Sequence, residues 1–222
     1  MTSSFDLIAR SAPLFLKGAA MTVQVLLMAG SFSFVLGLFF GLITCQRLYI
    51  RFLSPLFEGI CFIARGVPFF VQLLIVYFVI PDFLGCNLGP LPASVLALGF
   101  SSSGYVAQFV RGALNGLPIS QWEAAYALGY NTRQALWRII LPQTFRLILP
   151  TLNNELEALL KSTALVSSIG LLELTRVGMN LVSREMEPIP IYLSLAFFYL
   201  CLSAALNLVT KKLERKFAYV KY

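Results

Sequence analysis

The chain has 222 residues, of which 58% are hydrophobic and 12% charged, about half the charged share of a soluble domain. Too few charges are present to cover a water-exposed surface, so the composition is that of a membrane protein. Histidine is absent, which excludes metalloenzymes and hydrolases that need an imidazole; the net charge of +7 then reports orientation in a bilayer rather than affinity for nucleic acid.

A membrane-spanning helix needs about 20 mostly apolar residues. Charge-free intervals lie between Lys17 and Arg47, Asp82 and Arg111, and Glu187 and Lys211. Two further apolar stretches carry ionisable residues, one with Glu58 and Arg65, the other with Glu155, Glu157 and Lys161. The expectation is an all-α membrane protein, one transmembrane domain with about five helices, over residues 18–46, 56–80, 89–110, 149–172 and 188–210. The first run is too long for a signal-peptide core, and no cleavage is expected. Cys45, Cys61, Cys86 and Cys201 are isolated, so no disulfide framework is expected, and nothing points to a cofactor.

Orientation follows from the cations. With the N-terminus outside, the inner segments carry Arg47, Arg51, Arg111, Arg133, Arg138, Arg146, Lys211, Lys212, Arg215, Lys216 and Lys221. The outer segments carry Arg10, Lys17, Arg176 and Arg184, so eleven cations stand against four. The C-terminus and the loop over residues 111–148 therefore face the cytoplasm. That loop is too short for a soluble domain, so the driving energy comes from an ion gradient or from another chain.

Within the second apolar stretch, Arg65-Gly66-Val67-Pro68 combines a cation, a glycine and a proline that frees the carbonyl of Ala64. It reads either as a break lining a transport site or as an arginine snorkelling to the headgroups. The phenylalanines at 32, 34, 39, 40, 69 and 70 read as lipid-facing or packing residues.

The cytoplasmic loop reads as two short helices. Ser120 and Glu123 have capping-box spacing, and Gly129 is placed to end the helix that follows. Asn131 and Gln134 open a second helix, which Leu141-Pro142 is expected to close. Trp122, Ala125, Tyr126 and Gly129 share one face, suited to docking into a partner, to lying on lipid, or to folding against the span ends.

In the fourth span, Glu157 and Lys161 are four residues apart in the favourable order and can neutralise each other. Asn154 and Ser168 fall on the same stripe. Glu155 lies about 200° around the helix from Glu157 and shares another stripe with Thr151 and Ser162. Glu155 with Asn154 is the candidate substrate contact, a carboxylate for an ammonium group; a partner on a neighbouring helix is the alternative.

The sequence Glu123-Ala124-Ala125, with Gly129 and then Ile140-Leu141-Pro142, resembles the EAA loop of ABC-importer permeases. Lys17-Gly18, Thr22-Val23, Arg65-Gly66-Val67-Pro68, Val71-Gln72-Leu73, Tyr105-Val106-Ala107, Arg111-Gly112-Ala113, Leu141-Pro142-Gln143, Asn154-Glu155 and Leu160-Lys161 extend the likeness over residues 13–215. More narrowly, the chain resembles the polar amino acid permeases of the histidine, glutamine and arginine type. The resemblance implies a permease paired with a second copy or a sister permease, two cytoplasmic ATP-binding subunits, and an extracytoplasmic amino-acid-binding protein. It implies a bacterial inner-membrane location and import of a polar amino acid by alternating access. Glu123, Ala124, Ala125, Gly129, Leu141 and Pro142 would couple to the ATPase, and Arg65, Asn154, Glu155 and Lys161 would line the substrate path. ATP hydrolysis would fall to the partner, because Lys161-Ser162 lacks the glycines of a phosphate-binding loop. Glu157, usually apolar in the family, Gln108, often Glu, and Ala164, commonly Ser, depart from the pattern. The competing function is a gradient-driven carrier with Glu155, Glu157 and Lys161 as its ion-coupling set.

Overall fold

The computed structural model describes residues 4–217, and every regular element among them is helical. Lys221, counted above with the cytoplasmic tail, lies outside the described residues. Helix α1 spans Ser4–Ile43, α2 Leu53–Gly66 and α3 Phe69–Leu84. Helix α4 spans Pro90–Gly116, α5 Ile119–Ala127, α6 Thr132–Ile169, α7 Leu174–Glu185 and α8 Pro188–Phe217.

Helices α1, α4 and α8 are each long and apolar enough to cross a membrane. Two bent pairs pass the same test of length and composition when taken together: α2 with α3, turned by 104°, and α6 with α7, turned by 49°. Counting each bent pair as one span gives up to five, against the five straight helices expected. The helices also outrun the expected spans: α1 starts at Ser4 rather than near residue 18, and α8 continues to Phe217.

The axis of the bundle is α1 lying along α4. In lipid no hydrophobic effect drives helices together, so close contact depends on small residues. Gly37 and Gly41, one helical turn apart, provide it. A Cβ on Gly37 would come within 2.5 Å of Val106 Cβ, and one on Gly41 within 2.6 Å of Val110 Cβ. Ser33 Oγ donates to Ser102 Oγ at 2.9 Å across the same seam. Away from it, Ile189, Leu193, Phe197, Leu200 and Leu208 of α8 stay exposed, as a lipid-facing surface requires.

The break between α2 and α3 falls at Val67-Pro68, where the sequence leads one to expect it. Proline removes the N–H that Ala64 O would accept, and the side chain of Gln72 replaces it. Gln72 Nε2 donates to Ala64 O and to Val67 O, both at 2.8 Å, from a buried position. Gln72→Leu strips both carbonyls of their donor inside the protein, at about 1–3 kcal/mol for each unsatisfied group. The expected result is a lower melting temperature of the detergent-purified chain. An unchanged melting temperature would show that the break holds without this side chain.

A second buried polar side chain fixes the other bend. Glu173, wholly buried, caps α7 by accepting from the N–H of Thr175 (2.9 Å) and Arg176 (2.7 Å), and it accepts from Tyr199 Oη at 3.0 Å. The cap thus ties α7 to α8.

Candidate functional site

Two regions carry the residues singled out above. The first is α5 and its flanks. The expected capping box at Ser120 and Glu123 does not form: α5 begins two residues earlier, after Pro118, with no side-chain cap. Proline at the entry needs no capped N–H of its own, and its fixed φ pre-sets the chain to enter a helix. Gly129 does end the helix, at φ +80°, while Gly129 N donates to Tyr126 O and Tyr130 N to Ala125 O. The Asn131–Gln134 capping box is present in both directions: Gln134 N donates to Asn131 Oδ1 (2.9 Å) and Asn131 N to Gln134 Oε1 (3.1 Å).

Leu141-Pro142 does not close the second loop helix. That helix continues as α6 through a π turn at Leu136–Ile140, directly before the proline. A π turn absorbs a missing hydrogen bond by inserting a residue, so the ladder shifts register instead of ending. The loop therefore holds one free-standing short helix, α5, and its far side is the start of a spanning helix. Gln143 Nε2 donates to Gln121 Oε1 at 3.2 Å and pins the two together.

Half of the α5 stripe read as a docking surface is turned inward, while Tyr126 and Gly129 stay exposed. Trp122 is 1% exposed and Ala125 fully buried, packed with Val110, Leu114, Leu136 and Ile140. The Arg47 guanidinium lies 5.7 Å from the Trp122 ring centroid. The opposite face carries Ser120, Glu123, Ala124 and Ala127, all exposed, next to Leu128 at 74% exposure. An exposed leucine beside small residues and a carboxylate is a surface with something left to cover. Glu123 makes no hydrogen bond or ion pair with any described residue.

The second region lies midway along the bundle. A cavity of about 340 Å³ is walled by Arg65 and Pro68 at the α2–α3 break, Ser101, Ser102 and Tyr105 of α4, and Glu155 of α6. Glu155 accepts from Ser102 Oγ at 2.7 Å, and Ser102 accepts from Ser33, so three helices meet at this carboxylate. Arg65 Nε donates to Cys61 O at 3.2 Å, and Arg65 Nη1 donates to Gln108 Oε1. Its partners are neutral: no carboxylate lies within ion-pair distance of Arg65 among the described residues. The cavity thus has a cation and an anion in its walls.

Asn154 and Lys161 are not in that wall. Both are exposed on another face of α6, and Lys161 Nζ lies 3.8 Å from Glu157 Oε2. Glu157 in turn accepts from Asn207 Nδ2; Asn207 Oδ1 accepts from Asn153 Nδ2, and Thr210 Oγ1 donates to Asn153 Oδ1 at 2.6 Å. This chain of polar contacts joins α6 to α8 and gives Glu157 a structural task. Sequence reasoning gave no role of their own to Ser102, Gln72 and Glu173. Isolated polar residues in an apolar run give no signal until their neighbours are known.

Residues 33–219 match the family model described as the inner membrane component of binding-protein-dependent transport systems. The chain belongs to this family. Such permeases are multi-pass components of the inner membrane that work with a substrate-binding protein and an ATPase. Among similar permeases, the L-cystine transport system permease TcyB of Bacillus subtilis is 32% identical over 96% of this chain and 90% of its own length. The arginine transport system permease ArtQ of the same organism is 30% identical over 97% and 98%. The glutamine transport system permease GlnP of Escherichia coli is 29% identical over 92% and 93%. A solved amino acid ABC transporter superposes with a TM-score of 0.86 at 31% identity, covering 97% of this permease and all of that chain. The MetNI methionine transporter shares the fold, with a TM-score of 0.82 at 20% identity. Nothing supports a gradient-driven carrier: Glu155 stands apart from the Glu157–Lys161 pair, and Glu157 is engaged in holding α6 to α8.

Proposed function

We propose that this permease moves a polar amino acid inward by alternating access, driven by ATP that two cytoplasmic partner subunits bind and hydrolyse. The observation that carries the reading is Glu123, an unpaired carboxylate on the outer face of a short helix whose inner face is fixed to the spans by Trp122. A lever of this kind meets the ATPase with its free face and transmits motion through its buried one. Glu123, Ala124 and Gly129 form the contact, whereas Ala125, expected among them, is buried beside Trp122 on the inner face; Leu141 and Pro142, at the junction of the π turn with α6, pass the motion into the membrane. The N-terminus is outside, the C-terminus and residues 111–148 are cytoplasmic, and lipid surrounds the spans.

The substrate path runs between this chain and a second permease, identical or a sister. Arg65 and Glu155 offer charges for the carboxylate and ammonium of an amino acid, and Asn154 and Lys161 lie on the open face of α6 toward the second subunit. The relatives' names make cystine, arginine and glutamine the substrates to try first, delivered by an extracytoplasmic amino-acid-binding protein.

The test is uptake of these three radiolabelled amino acids into proteoliposomes holding the assembled transporter. Uptake of one of them that requires ATP and the binding protein is expected. Uptake driven by a proton gradient without ATP would overturn the reading.

A further inference from the structure

The 340 Å³ cavity does not stand alone. It shares Arg65 with a second cavity of about 450 Å³, which shares Thr44, Glu58, Gln108 and Arg111 with a third of about 730 Å³. Residues of α4 enter these walls in order, from Ser101 and Tyr105 in the first, through Gln108 and Arg111, to Asn115 in the third. From Ser101 to Asn115 is about 21 Å of helix, so the series leads from mid-bundle to the end of α4 that meets α5.

Where the second and third cavities share a wall, Glu58 of α2 and Arg111 of α4 form an ion pair at 3.2 Å. Both side chains are open, 46% and 38% exposed, and this contact is the one hydrogen bond or ion pair found for either among the described residues. A carboxylate has two oxygens and a guanidinium five donors, so most of their bonding capacity faces the cavities. An amino acid carries an ammonium and a carboxylate on one carbon. It can replace the Glu58–Arg111 contact with two of its own, ammonium to Glu58 and carboxylate to Arg111, so no charge is left unpaired in the exchange.

Resting on the importer reading above, we propose that the Glu58–Arg111 pair is a second binding point for the zwitterionic backbone of the substrate, at which the closed pair bars the inner half of the route and opens by exchanging partners with the passing amino acid. The pair reads the α-amino and α-carboxyl groups and not the side chain. It accordingly sets passage for α-amino acids as a class.

The test uses the assembled transporter in proteoliposomes, with radiolabelled glutamine, arginine or cystine, whichever the uptake assay selects, and measures amino acids moved per ATP hydrolysed. Glu58→Gln and Arg111→Gln are each expected to lower that ratio about tenfold, the factor for one lost charge-assisted contact. Arg111→Lys, which keeps the cation, is expected to restore most of it. The double variant E58Q/R111Q can still hydrogen-bond between α2 and α4 but offers no charge, and it is expected to be as defective as either single change. An unchanged ratio in the single variants overturns the proposal. So does recovery in the double variant, because the pair would then be a brace between helices. Wild-type transporter that shows no ATP-driven uptake would overturn the importer reading itself, whereas normal wild-type uptake with indifferent variants overturns only the inference.

Discussion

Glu123→Ala is expected to cut ATP-driven uptake about ten- to a hundredfold while leaving the fold of the permease intact. The side chain is exposed and caps nothing, since α5 starts at Pro118 without side-chain help. Its loss removes no hydrogen bond or ion pair to any described residue, and surface changes of this kind shift stability by less than about 0.5 kcal/mol. A charge-assisted bond to a cationic residue on a partner is worth about 1.5–3 kcal/mol, so coupling should fall about ten- to a hundredfold. Glu123→Gln isolates the charge, because glutamine keeps the length and the accepting oxygen of the side chain and loses only the negative charge. It too is expected to lose coupling. The check is co-purification of the ATPase with tagged permease in mild detergent, alongside uptake and melting temperature. If Glu123→Gln retains a stoichiometric ATPase and full uptake, the carboxylate is not the coupling contact. The contrasting substitution is Trp122→Ala. It empties a buried site of its largest side chain, at about 3–5 kcal/mol, and should lower stability and uptake together.

Glu155→Gln and Arg65→Gln should each cut the rate of uptake by at least about tenfold with the permease still folded. The amide oxygen introduced by Glu155→Gln can still accept from Ser102, so the contact joining α4 to α6 survives while the negative charge does not. Among the described residues Arg65 hydrogen-bonds Cys61 O and Gln108, both neutral, which leaves its charge for a carboxylate that enters the cavity. Removing either charge takes away about one charge-assisted contact, or about ten- to a hundredfold in rate. The two variants differ in what rescues them. An amino acid analogue whose carboxyl is converted to an amide should be carried poorly by wild type and lose nothing further in Arg65→Gln, whereas Glu155→Gln should still impair it. Equal transport of the amide by wild type would remove Arg65 from the path. Lys161→Ala is expected to act differently: it removes an exposed i,i+4 contact to Glu157 and leaves the Glu157–Asn207 bond in place, so stability should change by less than about 0.5 kcal/mol.

Much of this molecule is written in short-range sequence features. The all-helical membrane fold and its candidate spans follow from hydropathy, because a bilayer imposes one dominant rule on the backbone and side chains at each depth. The left-handed turn at Gly129 and the reciprocal cap at Asn131 were legible for the same reason, since each concerns neighbours along the chain. The break at Pro68 was legible as a missing donor, but Gln72 as its replacement was not: the two carbonyls it satisfies lie eight and five residues away, at a corner of 104° that no periodicity encodes.

Which face of α5 is free had to await the tertiary structure. Pattern alone joined Trp122, Ala125 and Tyr126 into one stripe, and an aromatic stripe serves equally to bury or to dock. Packing against α4 and α6 buried Trp122 and Ala125 and thereby turned Glu123 outward. The same holds for charge. Helical spacing separated Glu155 from Glu157, but only the approach of α2, α4 and α6 set Arg65 and Glu155 in one wall and Glu58 against Arg111. Spacing along one helix determines which residues share a face; which faces meet depends on how the helices cross, and that is decided by small residues such as Gly37 and Gly41 at the seam.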